Sequence, residues 1–114
     1  MEIKIDLRPK GNNITLVVLR GEIGTETVNQ LKDKMEAIVN EGKNRLVMDF
    51  GDVSYLNSMG LGVIAGTLKR VKKENGDLKL LNLSPAVREL LELTRLTKVF
   101  EIFDSEESAL KSFS

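Results

Sequence analysis

The sequence predicts a single α/β domain over residues 1–114, with a mixed, mostly parallel sheet, an N-terminal hairpin and about four helices packed against it. Three observations lead to this fold class. The length of 114 residues suits one hydrophobic core and is short for two. Apolar residues change along the chain between a two-residue spacing and a helical spacing, with turn residues between the segments. Strands that alternate with helices favour parallel pairing, because each helix carries the chain back across the sheet.

The first two predicted strands form a hairpin. Apolar and polar residues alternate over residues 2–8, which is the pattern of a half-buried strand. Turn-forming residues follow at 9–13, and Ile14–Leu19 supplies a second, more apolar strand. The glycines that bound Gly21–Gly24 are predicted to end this strand and to open a loop.

Helices and strands alternate over the rest of the chain. Apolar residues at helical spacing predict a first helix over Thr25–Glu41, which Gly42 ends. The nearly continuous apolar run Leu46–Phe50 predicts a strand buried on both faces, followed by a loop as far as Met59. The remaining predicted elements are a helix over Gly60–Asn75, a strand over Leu78–Leu83, a helix that starts at Ser84–Pro85, a strand over Val99–Phe103 and a terminal helix opened by Asp104–Glu107.

The charge balance argues against a nucleic-acid-binding protein. Seventeen basic and seventeen acidic residues give a formal net charge of zero. Binding to a phosphate backbone needs an excess of Lys and Arg on one face. The densest basic segment, Lys69–Lys73, continues a helical pattern and is interpreted as a solvated helix face. No nucleic-acid partner is therefore expected.

Two residue types that carry much of protein chemistry are absent. The sequence contains no Cys and no His. It therefore lacks a thiol nucleophile, the usual general base near neutral pH and the commonest metal ligand. We expect no enzymatic activity, no metal and no cofactor. The sequence begins without the apolar run of a signal peptide and has no apolar stretch of roughly 20 residues, so we expect a cytoplasmic protein without a membrane partner.

Three short motifs resemble known sites but have simpler explanations. Asp49-Phe50-Gly51 spells the magnesium-binding triplet of protein kinases, yet a strand end followed by a turn explains it in so short a chain. Gly60–Ala65 matches the G-x-G-x-x-A dinucleotide fingerprint, but nine residues separate its first glycine from the predicted strand end at Phe50. Asp49 and Asp52 lie close together without a third metal ligand, so a solvent-exposed or turn-capping role is favoured over metal binding.

Ser58 has two interpretations that do not exclude each other. With Asn57, it stands directly before the predicted helix, where a hydroxyl is a good N-cap. The second interpretation is a phosphorylation site, because a phosphate there would meet free backbone N–H groups and the positive end of the helix dipole. It would add roughly −1.5 to −2 charges, which an interface built around a neutral hydroxyl would tolerate poorly.

The sequence around Ser58 resembles a known family. The segments Leu46–Phe50 and Val53–Gly62, together with Leu19–Ile23 and Leu80–Val87, are similar to the STAS domains of bacterial anti-sigma factor antagonists. The hydroxyl-x-Gly-Leu-Gly sequence that begins at Ser58 is the most specific part. The resemblance covers essentially the whole chain and implies a single STAS-type domain with the element order predicted above.

The resemblance implies a partner switch in which the domain is a kinase substrate and a binding module. In that family, the unphosphorylated antagonist binds an anti-sigma factor, which is also a serine protein kinase, and releases the sigma factor. Phosphorylation of the serine aligned with Ser58 prevents binding, and a phosphatase acting on the phosphoserine resets the switch. We predict one docking surface formed by the Ser58 segment and the loop over Gly21–Thr27. Its predicted partner-binding residues are Gly21, Glu22, Gly24, Thr25, Asn57, Met59, Gly60, Leu61 and Gly62.

Three positions depart from the family pattern. Asn57 stands where the family commonly has Asp before the modified serine, and Gly24 stands where it commonly has Asp after a Gly-Glu-Leu turn. Both departures remove a negative charge from the surface that would face a kinase. They support an alternative function, a STAS scaffold or sensor module of a larger signalling assembly, with nucleotide binding as one option and no phosphorylation of Ser58. Met59 replaces a common second hydroxyl residue and is either an apolar contact beside Ser58 or a buried gap-filler.

Overall fold

Five strands and four helices alternate in the computed structural model, which describes residues 2–113. Met1 and Ser114, the two ends of the predicted domain, lie outside the described residues. The strands are β1 (Lys4–Lys10), β2 (Ile14–Ile23), β3 (Arg45–Leu56), β4 (Asp77–Leu81) and β5 (Ile102–Phe103). The helices are α1 (Val28–Asn40), α2 (Ser58–Lys73), α3 (Pro85–Leu93) and α4 (Glu106–Lys111), and a short 3₁₀ helix spans Leu96–Lys98.

The sheet is mixed and mostly parallel, as predicted. Its strand order is β1-β2-β3-β4-β5, in which β1 pairs antiparallel with β2 and the other neighbours pair parallel. The N-terminal hairpin closes where Lys10 pairs with Ile14. Its turn uses Asn12 and Asn13 at φ values of 63° and 61°, which asparagine tolerates better than most residues. Pro9 lies within β1, where an edge strand accepts the missing N–H group.

The sheet separates two hydrophobic clusters. The larger cluster packs one face against α1, α2 and α3, with Met48 from the sheet and Leu31, Ile64 and Leu91 from the helices among its buried members. The smaller cluster lies on the other face, under α4, where Ala109 is buried. Consecutive residues of the central strands are therefore buried on opposite faces, as the apolar run Leu46–Phe50 predicts. Within residues 2–113, no helix is both long and apolar enough to cross a membrane.

The two central strands are longer than the sequence predicts. Instead of ending before Gly21, β2 continues to Ile23, and β3 runs past Phe50 to Leu56. The pairing of these strands shifts twice, between Val18 and Arg20 and again between Gly21 and Glu22, and each shift places one extra residue on β3. Such β-bulges let polar residues and glycines stay within a strand. The break predicted over Gly21–Gly24 therefore occurs only at Gly24, and the prediction of a loop from residue 51 onward was wrong.

Two other element boundaries differ from the prediction for local reasons. Residues 24–27 form a turn closed by the Val28 N–H, which donates to the Gly24 carbonyl at 2.8 Å, so α1 begins at Val28 and not at Thr25. The predicted strand over Val99–Phe103 is only two residues long. Its first part instead follows the 3₁₀ helix, since the Val99 and Phe100 N–H groups both donate to the Leu96 carbonyl.

Candidate partner-binding surface

The ends of β2 and β3 project beyond the rest of the sheet. The pairing of β3 with β4 stops where Asp49 faces Leu81, and the pairing of β1 with β2 starts at Arg20. Beyond these points β2 and β3 pair only with each other, with Ile23 opposite Leu56 at the tip. We name this two-stranded extension, residues 21–23 and 52–56, the ribbon. The predicted docking loop of residues 21–27 begins in the ribbon, and the Ser58 segment follows the ribbon directly, so the two meet at one edge.

Asn57, and not Ser58, caps helix α2. The Asn57 Oδ1 atom accepts a hydrogen bond from the Gly60 N–H at 3.0 Å, and the Asn57 N–H donates to the Ile23 carbonyl at 3.0 Å. Ser58 is the first residue of the helix, is exposed, and makes no side-chain hydrogen bond within residues 2–113. The capping interpretation of Ser58 was wrong because the helix begins two residues earlier than predicted. Its hydroxyl is consequently available to a partner or a modifying enzyme.

Thr27 holds the turn between β2 and α1 in place. Its side chain is 3% exposed. The hydroxyl accepts a hydrogen bond from the Gly24 N–H at 3.0 Å and donates to the Glu22 carbonyl at 2.7 Å. The prediction placed Thr27 at the end of the loop without giving it a role. A hydroxyl residue three positions after a glycine is a signal for this kind of local side-chain-to-backbone bond, but it is a weak one.

Two grooves flank the tip of the ribbon, and Tyr55 lines both. The larger has a volume of about 440 Å³ and runs between Ser58 and helix α3. Its lining residues are Ser54, Tyr55, Leu56, Asn57, Ser58, Ala86, Val87, Glu89, Leu90 and Leu93. The smaller, of about 270 Å³, is lined by Glu22, Gly24, Thr25, Glu26, Thr27 and Tyr55. The α3 residues were missed by the sequence analysis, since nothing in the order of elements indicates which later helix lies beside Ser58.

Exposed apolar side chains concentrate at this edge of the molecule. Among residues 2–113, four large hydrophobic side chains are exposed, and three of them lie here. Tyr55 and Leu93 line the groove that contains Ser58 and are 53% and 76% exposed, and Met59 next to Ser58 is 46% exposed. Met59 is therefore an apolar surface residue rather than a buried gap-filler. Exposed apolar clusters of this kind mark sites where another molecule docks.

The charged residues that line the two grooves are all glutamates, namely Glu22, Glu26 and Glu89. The two positions where the family commonly has Asp, Gly24 and Asn57, lie among them, and Gly24 has room for a Cβ atom. A Cβ atom at Gly24 would stand 3.4 Å from the nearest atom, the Tyr55 Cε2, which is ordinary van der Waals contact. Asp and Asn cap helices about equally well, so the cap at Asn57 does not require the amide.

A comparison with known protein families identifies the fold. The STAS domain model matches residues 6–109. The chain belongs to the STAS domain family. An anti-sigma-B factor antagonist of Bacillus subtilis is 36% identical over 111 residues, which cover 97% of this chain and 100% of the relative. The family therefore extends over nearly the whole sequence, and the two proteins are close to the same length.

Solved structures show the same fold. A crystal structure of an anti-sigma factor antagonist from Mycobacterium paratuberculosis superposes with a TM-score of 0.86 at 29% identity, covering 96% of this chain and 92% of that one. The phosphorylated form of the Bacillus cell fate determinant SpoIIAA superposes with a TM-score of 0.76 at 22% identity, covering 97% and 100% of the two chains. At that identity the second match establishes the fold of this STAS domain and nothing further.

The remaining predicted partner-binding residues of this STAS domain do not all reach the surface. Gly60 and Leu61 are buried, and Leu61 belongs to the main core. A Cβ atom at Gly60 would lie 2.6 Å from the Ile23 Cγ2, so glycine lets α2 pack against the ribbon. Gly62 is exposed but lines a different groove, between α1 and α2. Gly21, at φ +112°, lies against the backbone of residues 2 and 3.

The motifs set aside in the sequence have structural roles. The Asp49 Oδ1 accepts hydrogen bonds from the Gly51 N–H at 2.9 Å and from the Asn82 side chain at 3.2 Å, so this carboxylate supports a bulged strand and not a strand end. Asp52 pairs with Arg20 at 3.5 Å. Residues 2–113 contain no group of three carboxylates that could hold a metal ion. Gly60 follows the end of β3 by four residues, closer than the predicted separation, but it lies inside α2 and not in a turn before it.

Proposed function

We propose that this STAS domain is an anti-sigma factor antagonist whose Ser58 surface binds an anti-sigma factor. We define the Ser58 surface as Ser58 with its exposed neighbours Tyr55, Met59 and Leu93 and the partly buried Leu90, together with the turn over residues 22–27. The observation that carries the proposal is the grouping of Tyr55, Met59 and Leu93 around one free hydroxyl. Relatives matched over nearly their full length are named anti-sigma factor antagonists, which supports the same conclusion. The proposal implies a binding protein without catalysis of its own, acting in the cytoplasm.

The buried and exposed residues of this region have different roles in the proposal. Tyr55, Met59 and Leu93 would be covered by the partner, because burial of exposed apolar surface is the main driving force of association. Gly60 and Leu61 would act indirectly, by fixing the first turn of α2 against the ribbon. The three glutamates along the grooves favour a partner with a basic or neutral rim.

Phosphorylation of Ser58 by the anti-sigma factor, acting as a serine kinase, is the second part of the proposal. The exposed hydroxyl at the first position of α2 gives a phosphate access to free N–H groups at the helix start. The charged residues that line the two grooves around it are acidic, so among the described lining residues none is a cation that would neutralise a dianion. Burying that charge between apolar side chains on binding would be costly, and the partner would dissociate. A phosphatase would then restore the binding form.

Calorimetry with the serine-kinase anti-sigma factor of the same genome tests the binding switch. We expect Ser58→Ala to bind within about twofold of wild type and Ser58→Asp to bind at least about a hundredfold more weakly, since a buried unpaired charge costs several kcal/mol. Ser54→Asp is the matched control. Ser54 is also exposed and lines the same groove from the ribbon, so a smaller loss there would locate the effect at Ser58. Equal affinities for wild type and Ser58→Asp would refute the switch.

A STAS scaffold or sensor module remains the alternative, and the departures at Asn57 and Gly24 favour it. Mass spectrometry after incubation with ATP and the candidate kinase separates the two functions. The antagonist proposal requires one added phosphate on Ser58, absent from Ser58→Ala. If wild type stays unmodified while the Gly24→Asp/Asn57→Asp variant is phosphorylated, then the missing charges have removed kinase recognition. That result would favour the scaffold or sensor function. Titration of the chain alone with ATP would detect nucleotide binding, if the scaffold or sensor function includes it.

A further inference from the structure

A second exposed apolar site lies on the opposite half of helix α2. Val99 is the fourth exposed large hydrophobic residue among residues 2–113, and it is 53% exposed. It lines a groove of about 460 Å³ together with Ala65, Leu68, Lys69, Lys72 and Lys73. The floor of this groove is therefore apolar and its rim is formed by three lysines.

The exposure of Val99 is fixed by the fold and is not a frayed end. Its N–H donates to the Leu96 carbonyl at 3.0 Å within the 3₁₀ turn. The next residue, Phe100, is 3% exposed and anchors the segment in the main core. Val99 is thus held on the surface by ordered neighbours on both sides, which is the arrangement of a preformed contact site.

The lysines of the rim carry more charge than the fold neutralises. Within the described part of the chain, Lys69 and Lys73 form no ion pair, while Lys72 pairs with Asp77 at 3.4 Å. Lys69 is three residues from Lys72 and four from Lys73, spacings at which like charges on a helix repel each other by roughly 0.2–0.5 kcal/mol per pair. The helix dipole offsets part of this repulsion in the last turn, but it does not account for the apolar floor.

The groove is also separate from the Ser58 surface. Lys69 and Lys73 follow Ser58 by 11 and 15 residues on α2, which corresponds to about 16–22 Å along the helix axis. A molecule bound at Lys69–Lys73 would therefore leave Ser58 accessible. The net charge of zero and the apolar floor argue against nucleic acid as the occupant.

We propose that the Val99 groove is a second protein-docking site, which binds an acidic amphipathic helix of a partner. In such a helix, apolar side chains at helical spacing would lie on Ala65, Leu68 and Val99, and flanking Glu or Asp residues would pair with Lys69 and Lys73. This is the helix-in-groove mode of peptide recognition with complementary charges at its rim. The site would attach the switch to a larger assembly without occupying Ser58.

Nuclear magnetic resonance of the labelled full chain tests this proposal with a synthetic peptide of about four helical turns that carries Leu on one face and Glu beside it. We expect chemical shift changes confined to residues 65–73 and 96–100. Lys69→Glu/Lys73→Glu should weaken binding about tenfold, and Val99→Ser should weaken it about fivefold through lost apolar burial. The matched control Lys32→Glu/Lys34→Glu, which reverses two lysines of α1, should change affinity by less than about twofold.

Two further samples make the outcome decisive. A scrambled peptide of the same composition and a peptide with Lys in place of Glu should not bind. Equal binding of either one, unchanged affinity in Lys69→Glu/Lys73→Glu, or no shifts at all would overturn the proposal. Sedimentation with phosphatidylglycerol vesicles tests whether a lipid surface is the occupant instead. Binding of the chain to vesicles but not to the acidic peptide would also overturn the proposal. Thermal unfolding verifies that each variant is folded.

Discussion

The centre of the sheet and the ribbon are formed by the same two strands, β2 and β3, but they differ in the spacing of their buried residues. In the centre, Leu46, Val47 and Met48 are all buried, because helices cover both faces of the sheet. From Phe50 into the ribbon, burial on β3 recurs only at every third residue, at Phe50, Val53 and Leu56. Each β-bulge inserts one residue and so turns the next apolar side chain back to the core. The centre thus provides stability, and the bulged ribbon leaves polar and aromatic residues free for contact.

The largest expected effect separates stability from binding. Leu46→Ala, in the centre, should lower the free energy of unfolding by about 3 kcal/mol, because it leaves a cavity in the main core. Tyr55→Ala, in the ribbon, should lower it by less than about 1 kcal/mol, yet it should weaken anti-sigma factor binding about tenfold or more. Urea unfolding and calorimetry measure the two quantities. If Tyr55→Ala lowered the free energy of unfolding as much as Leu46→Ala, the separation between a stabilising centre and a binding ribbon would be contradicted.

A smaller effect is expected where α2 packs on the ribbon. Gly60→Ala should destabilise the protein by about 1–2 kcal/mol, because the new methyl group overlaps Ile23 and Leu56. Gly62→Ala is the matched control two residues further along α2. It has open space around the new Cβ atom and should stabilise by roughly 0.5–1 kcal/mol through helix propensity. Thermal unfolding gives the direction of each change in stability. A stability gain in both variants would show that the close packing at Gly60 does not limit the stability of the protein.

The smallest expected effect concerns the turn beside the ribbon. Thr27→Val should cost about 1 kcal/mol, because the Gly24 N–H and the Glu22 carbonyl both lose a buried partner. Thr67→Val is the same change in a buried residue whose hydroxyl bonds only the Val63 carbonyl of its own helix, and it should cost less than about 0.5 kcal/mol. Hydrogen exchange of the Gly24 amide is the more sensitive measurement. Unaltered protection in Thr27→Val would contradict the assigned role.

The sequence predicted the central elements well, since each depends on a regular local pattern. The helical spacing of residues 28–39, the buried run Leu46–Phe50 and the Ser84–Pro85 helix start were all confirmed. Prediction failed at the ribbon and at the part of β3 just before it, because Gly21 and Gly51 are typical of turns and a bulged strand has no two-residue alternation. It also failed at Ser58, where Asn57 and Ser58 are equally good caps by residue type and only the start of the helix decides between them.

The sequence by itself determined the class of fold and the identity of the core segments, and it singled out the segment around Ser58 as the candidate site. These depend on hydrophobic periodicity, on cap and turn residues and on a local motif, all of which involve near neighbours along the chain. Only the tertiary structure decided that Leu90 and Leu93 of α3 lie beside Ser58, that Leu61 is buried while Met59 is exposed, and that Val99 faces the lysines of α2. Those contacts join segments far apart in the chain, and the packing of helices on the sheet fixes them.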